Sequence, residues 1–183
     1  MLRVTFPDIE TFSNATNEFY YISGGEVTLE HSLLSISKWE AKHHKYFLNN
    51  RELTNSEILD YVRCMTVKGN VDDRIYDYLP MDMLKTIMAY MEDTMTATWF
   101  GANNQSRPGP RMRGKVLTSE LLYYYMIAFN IPMECEKWHI NRLLTLIQVC
   151  QAEQNPKKLT GKALAERNSR LNEARRKKFH TNG

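Results

Sequence analysis

Apolar and polar positions alternate at the start of the chain and then change period. Leu2-Arg3-Val4-Thr5-Phe6 alternates residue by residue, as a strand with one buried face does. Phe19-Tyr20-Tyr21-Ile22 and Glu26-Val27-Thr28-Leu29 flank Ser23-Gly24-Gly25. Paired glycines supply the positive φ that a tight turn requires, so this pattern predicts a hairpin. Val27, Leu29 and Leu33 would share one face, within a small sheet spanning residues 1–35.

Helical spacing takes over afterwards. Ser37-Lys38-Trp39-Glu40 fits a capping box, with Ile36 and Ala41 placed as a hydrophobic staple. Thr54-Asn55-Ser56-Glu57 fits a second box, followed by Ile58, Tyr61, Val62 and Met65 on one helical face. Asp72 and Asp73 suit a further helix start, where negative charge is favoured. Residues 81–91 predict a helix with Leu84, Ile87, Met88 and Met91 as its apolar stripe. The polar stretch 101–115, with Pro108-Gly109-Pro110, reads as a loop between two halves.

The largest apolar block follows that loop. Leu117, Leu121, Leu122, Tyr125, Met126 and Phe129 form one stripe, and Pro132 forces a break or restart. Two helices should therefore meet at Asn130-Ile131. The second would turn Met133, Ile140, Leu143, Leu144 and Ile147 inward, and Lys137, Asn141, Arg142 and Gln148 outward. Residues 160–179 favour a helix with a thin stripe of Leu164 and Leu171, too weak to stand without a partner surface. The fold class expected is α+β, mainly α. A small N-terminal antiparallel sheet (1–35) precedes a helical bundle (36–154) and a basic C-terminal helix (155–183).

Charge divides the chain unevenly. From residue 155 onward nine basic residues face Glu166 and Glu173, a net +7; the remaining fifteen basic and nineteen acidic residues give −4. A basic tail on an acidic body suits docking between proteins, including two copies of the chain. Contact with nucleic acid ranks second, because the tail has few aromatic residues to stack on bases. No apolar run approaches the ~18 residues of a membrane span, and the N-terminus lacks a signal-peptide core. Cys64, Cys135 and Cys150 are odd in number and lie in apolar contexts, which predicts reduced thiols.

Candidate chemistry is sparse. Cys135 and His139 are four apart, but two ligands do not complete a zinc site. Thr160-Gly161-Lys162-Ala163 lacks both the upstream glycine and the hydroxyl residue of a phosphate loop. No nucleophile motif occurs, and the carboxylates read as solvated faces. The expectation is a non-enzyme without metal or cofactor.

Four tracts stand out as a set. They are Leu29-Glu30-His31-Ser32-Leu33-Leu34-Ser35-Ile36-Ser37-Lys38-Trp39-Glu40, Met95-Thr96-Ala97-Thr98-Trp99-Phe100, and the stretch from Cys135-Glu136-Lys137-Trp138-His139 to Ile147. The last is Arg167-Asn168 followed by Leu171-Asn172-Glu173-Ala174-Arg175-Arg176. Together they resemble a family of tailed-phage tail-assembly proteins, and the resemblance covers most of the chain from Leu29 onward. It implies a chaperone that coats an apolar helical tape-measure protein in the host cytoplasm. A structural virion component, such as a neck or baseplate subunit, is the alternative. Implied partners are phage tail proteins, the tape-measure protein first. Partner contact is expected at Met88, Met91 and Trp99, at the loop residues Arg107, Arg111 and Arg113, and at the tail residues Arg175, Arg176, Lys177 and Lys178. Trp39, Trp138, His139 and Arg142 complete the set as a signature where the two halves meet, the indoles serving foremost as hydrogen-bonded core.

Overall fold

A computed structural model describes residues 1–14, 17–50, 52–98 and 116–154, together with 168–169 and 172–173. The chain divides into two compact units, Met1–Cys150 and Gln151–Gly183. The fold class is α+β, mainly α, as the patterning predicts. The β-rich segment is not a domain of its own, because its buried residues Phe6, Val27 and Leu29 join the helices in one core.

Strands within residues 2–13 and 18–29 line up as one antiparallel ribbon, interrupted at Pro7 and Gly24. Strand β1 (Leu2–Phe6) pairs with β4 (Gly25–Leu29), and β2 (Ile9–Ser13) pairs with β3 (Glu18–Ile22), both antiparallel. Phe6 lies opposite Gly25 and Ile9 opposite Ile22, so the register continues unbroken across the gap. The ladder lapses at Pro7, which has no N–H to donate. The predicted hairpin between β3 and β4 is therefore incorrect. Ser23-Gly24-Gly25 is not a turn but the other side of the interruption. Gly24 is needed there for close approach: a Cβ would lie 2.1 Å from the Phe6 carbonyl oxygen. Its N–H bonds the Asp8 carboxylate at 2.7 Å. Strand β5 (Thr66–Gly69), which the periodicity did not suggest, adds to β4 and completes the order β1-β4-β5.

Helix α1 (Leu33–His43) begins earlier than the capping-box pattern predicts. Ser32, not Ser37, is the N-cap and accepts the Ser35 N–H at 3.2 Å. The helix ends at His44, whose left-handed φ of 53° lets its N–H reach the Glu40 carbonyl. Helix α2 (Asn55–Cys64) carries the predicted box at Thr54 and Glu57, with both reciprocal bonds made. Thr54→Ala is expected to lower stability by about 1 kcal/mol, read as a lower urea midpoint. Asp72 caps a 3-10 turn over Asp73–Tyr78, in line with the charge there.

Helix α3 (Met81–Glu92) buries Ile87 and half-buries Leu84 and Met91, but leaves Met88 in solvent, contrary to the predicted stripe. Helix α4 (Ser119–Ala128) buries Leu122 and Met126. The chain reverses at Asn130, φ 54°, close to the predicted break. Beyond it the single predicted helix is two elements: a 3-10 turn at Met133–Lys137 and α5 (Ile140–Gln154). Ile140, Leu143, Leu144 and Ile147 are buried as expected, while Met133 is exposed because it lies on the turn. An isolated bridge joins Ser32 to His139, and Ile140 N–H donates to the His31 carbonyl at 2.7 Å. These bonds tie the start of α5 to the start of α1. The expected loop 101–115 and most of the expected tail helix lie outside the described residues; Asn168, Ser169, Asn172 and Glu173 are helical and exposed.

Candidate interaction surface

Polar groups cluster inside the protein before any reach its surface. His31 Nδ1 and the Tyr61 hydroxyl are hydrogen-bonded at 2.5 Å, and His139 lies beside them with ring centroids 5.2 Å from His31. His139 Nε2–H donates to the Tyr90 carbonyl at 3.0 Å, because a carbonyl can only accept. Its Nδ1 then accepts the Asn141 N–H at 3.3 Å, which sets the neutral tautomer. Tyr90 O–H donates to Glu30 Oε1 at 2.6 Å. Burial pushes the His31 pKa down to about 3, with His139 adding to the effect. Burial likewise lowers His139, against the opposing bond to Tyr90. Both imidazoles are buried, and both ring nitrogens of His139 bond to backbone, which joins α3 to the start of α5.

A second cluster locks α1 to α2. Asp60 accepts bonds from Lys42 at 2.6 Å, His43 at 2.7 Å and Arg63 at 2.9 Å. Burial opposes its charge, but these donors outweigh it and hold its pKa at about 2. Arg63 also reaches the Asp73 carbonyl at 3.1 Å and lies over the Tyr76 ring. The carboxylates Glu30, Glu40, Glu57 and Asp60 are thus buried, a correction to their reading as solvated faces. Cys135 is buried and Cys64 and Cys150 half-buried, all three as free thiols. Burial raises the Cys64 and Cys135 pKa values, the wrong direction for a nucleophile.

The expected partner residues separate by location. Trp39 is fully buried; its indole donates to the Glu57 carbonyl at 3.0 Å and stacks on His43. It belongs to the core and is withdrawn from the partner surface, because α1 begins at Leu33 and turns that face inward. His139 is withdrawn for the same reason. Trp138 is half-buried, with the exposed Arg142 guanidinium 4.2 Å from its ring centroid. Trp138, His139 and Arg142 sit together at the start of α5, apart from Trp39, which packs between α1 and α2. Met91 is half-buried against the core, and its carbonyl accepts from Asn141. Met88 is 47% exposed. Trp99, Arg107, Arg111, Arg113, Arg175, Arg176, Lys177 and Lys178 lie outside the described residues.

Several large apolar side chains are also exposed among the described residues. Met81 and Met88 are seven residues apart on α3, so two turns bring them to one face. Tyr124 and Ile127 stand out on α4, three residues apart, with Ile127 69% exposed. Phe12, Phe19 and Tyr21 project from the ribbon. The α4 residues were missed because the whole segment is apolar. Such a helix is normally surrounded by protein, and an uncovered side signals a contact to be made.

No protein-family model, curated protein or solved structure matches the chain. Among the described residues no helix is long and apolar enough to cross a membrane.

Proposed function

We propose that the chain is a non-enzymatic tail-assembly chaperone of a tailed phage, acting in the host cytoplasm on the apolar helical tape-measure protein. The resemblance of four sequence tracts to that family supports the reading. The observation that carries it is the pair of exposed apolar helix faces, Met81 with Met88 on α3 and Tyr124 with Ile127 on α4. Flexible methionines adapt to irregular apolar partners, and positions at helical spacing suit an amphipathic helix. The bonds made by His139 to backbone on both ring nitrogens favour a binding protein over a catalyst.

Quantitative mass spectrometry of purified virions beside infected-cell lysate tests the role. A chaperone is abundant in lysate and missing from virions. A stoichiometric signal in virions would make the chain a structural subunit and sink the proposal. At the surface itself, Met88→Glu is expected to weaken tape-measure binding tenfold or more, as a charge does in an apolar contact. Stability should change by no more than about 0.5 kcal/mol, because Met88 is exposed. Unchanged affinity in a pull-down titration would remove α3 from the binding face.

A further inference from the structure

The β2–β3 arm carries an aromatic face that no described part of the protein covers. Phe12 and Phe19 are cross-strand partners with ring centroids 5.0 Å apart, and Tyr21 lies opposite Glu10 on the same face. Phe19 is 71% exposed. The other face of the arm is occupied: Ile22 is buried, and the Tyr20 hydroxyl meets that of Tyr78 at 3.0 Å. The Arg74 guanidinium covers the Tyr20 ring at 5.3 Å and is bound to Asp72. Among the described residues of the arm, the Phe12–Phe19–Tyr21 face is the exposed aromatic one.

Charge decides which partner fits. Residues 7–23 contain Asp8, Glu10 and Glu18 and no lysine or arginine. Aromatic faces attract guanidinium and ammonium groups, and the surrounding carboxylates add attraction of the same sign. We propose that the outer face of the β2–β3 arm docks a lysine- and arginine-rich polypeptide segment, its cations seated on Phe12, Phe19 and Tyr21 beside Glu10, with Glu18, which pairs with Ser13 on the opposite face, adding only its longer-range charge. The contact uses a different element from the apolar helix faces on α3 and α4. It goes beyond the chaperone reading and does not depend on it.

The test titrates the full-length protein into a labelled synthetic peptide of alternating arginine and alanine. Binding should weaken steeply from about 50 to about 300 mM salt, since exposed charges are screened over a Debye length. Glu10→Lys/Glu18→Lys should weaken it about tenfold or more, and Phe19→Ser several-fold. All three side chains are exposed, so circular dichroism should report intact folds for both variants. Self-association of the wild type at low salt that disappears in Glu10→Lys/Glu18→Lys would also support the proposal, and would identify residues 157–178 of a second copy as the basic segment. Equal affinity for the glutamate–alanine counterpart peptide overturns it. So does the absence of any difference between wild type and the charge-reversal variant in both measurements. A Met88→Glu protein that has lost its apolar partner should still bind the basic peptide, so the two readings fail independently.

Discussion

Glu40→Ala is expected to destabilise the protein by roughly 3–5 kcal/mol, the largest effect of any single charged residue. Glu40 Oε1 accepts the Phe47 N–H at 2.9 Å and Oε2 accepts the Ser119 N–H at 2.7 Å. Ser119 opens α4, and the Thr118 side chain makes no capping bond. A carboxylate on α1 therefore caps a helix 79 residues away in sequence. Negative charge suits that position, because the N-terminus of a helix is electropositive. Alanine would leave two N–H groups without a partner, each in a buried setting. Glu40→Gln keeps one accepting oxygen and should lose about half as much. Urea unfolding measures the difference, and amide exchange at Ser119 and Phe47 locates it. A loss below about 1 kcal/mol in the alanine variant would mean that water replaces the carboxylate.

Acidification should weaken the fold well above the usual carboxylate range. The groups facing His31 are Tyr61, Phe47 and His139, and burial holds it neutral down to about pH 3. In the unfolded chain histidine takes up a proton near pH 6.5. Between these two values the unfolded state binds more protons, so stability is full above about pH 6.5 and is lost as the pH falls. His31 alone contributes a loss of about 2 kcal/mol between pH 7 and pH 5. His139, also lowered, adds to it in the same direction. Asp60 acts in a separate, lower window. Its pKa is depressed to about 2, so its contribution is present above the unfolded value near 4 and disappears only as the pH falls through about 2. Urea midpoints at pH 7, 6 and 5 check the first window. In His31→Gln the dependence should flatten, and an unchanged slope would assign it to another group.

The readable parts of the fold were those with local causes. The Thr54–Glu57 box, the alternation of Leu2–Phe6 and the inward row Ile140, Leu143, Leu144 and Ile147 each depend on neighbours within one or two turns or strands. Local chemistry also misled where it matched a motif by composition. Ser37-Lys38-Trp39-Glu40 has the residues of a capping box, yet Ser32 caps the helix and Ser37 lies inside it. Gly24-Gly25 has the residues of a turn, yet Gly24 serves a close approach to Phe6.

The candidate surface was less legible for a related reason. Met88 was placed in the apolar stripe of α3 by its period, whereas the core accepts only Ile87 fully. Which flank of an apolar helix is covered depends on what packs against it. For α4 that is α1, which leaves Tyr124 and Ile127 outside.

By itself the sequence determined the α+β class, the placement of several helices, the acidic body with its basic tail, and the apolar character of the segments that build the core. Hydrophobic period, capping residues and charge counts act over short stretches and can be read from them. The tertiary structure alone decided the interrupted antiparallel ribbon, the burial of Glu30, Glu40 and Asp60, and the pairing of His31 with Tyr61 and His139. His31 meets Tyr61 30 positions away, Tyr90 reaches Glu30 across 60, and the Ser119 N–H reaches Glu40 across 79. A buried charge or imidazole is tolerated only where distant donors and acceptors meet it, and the fold is what brings them there.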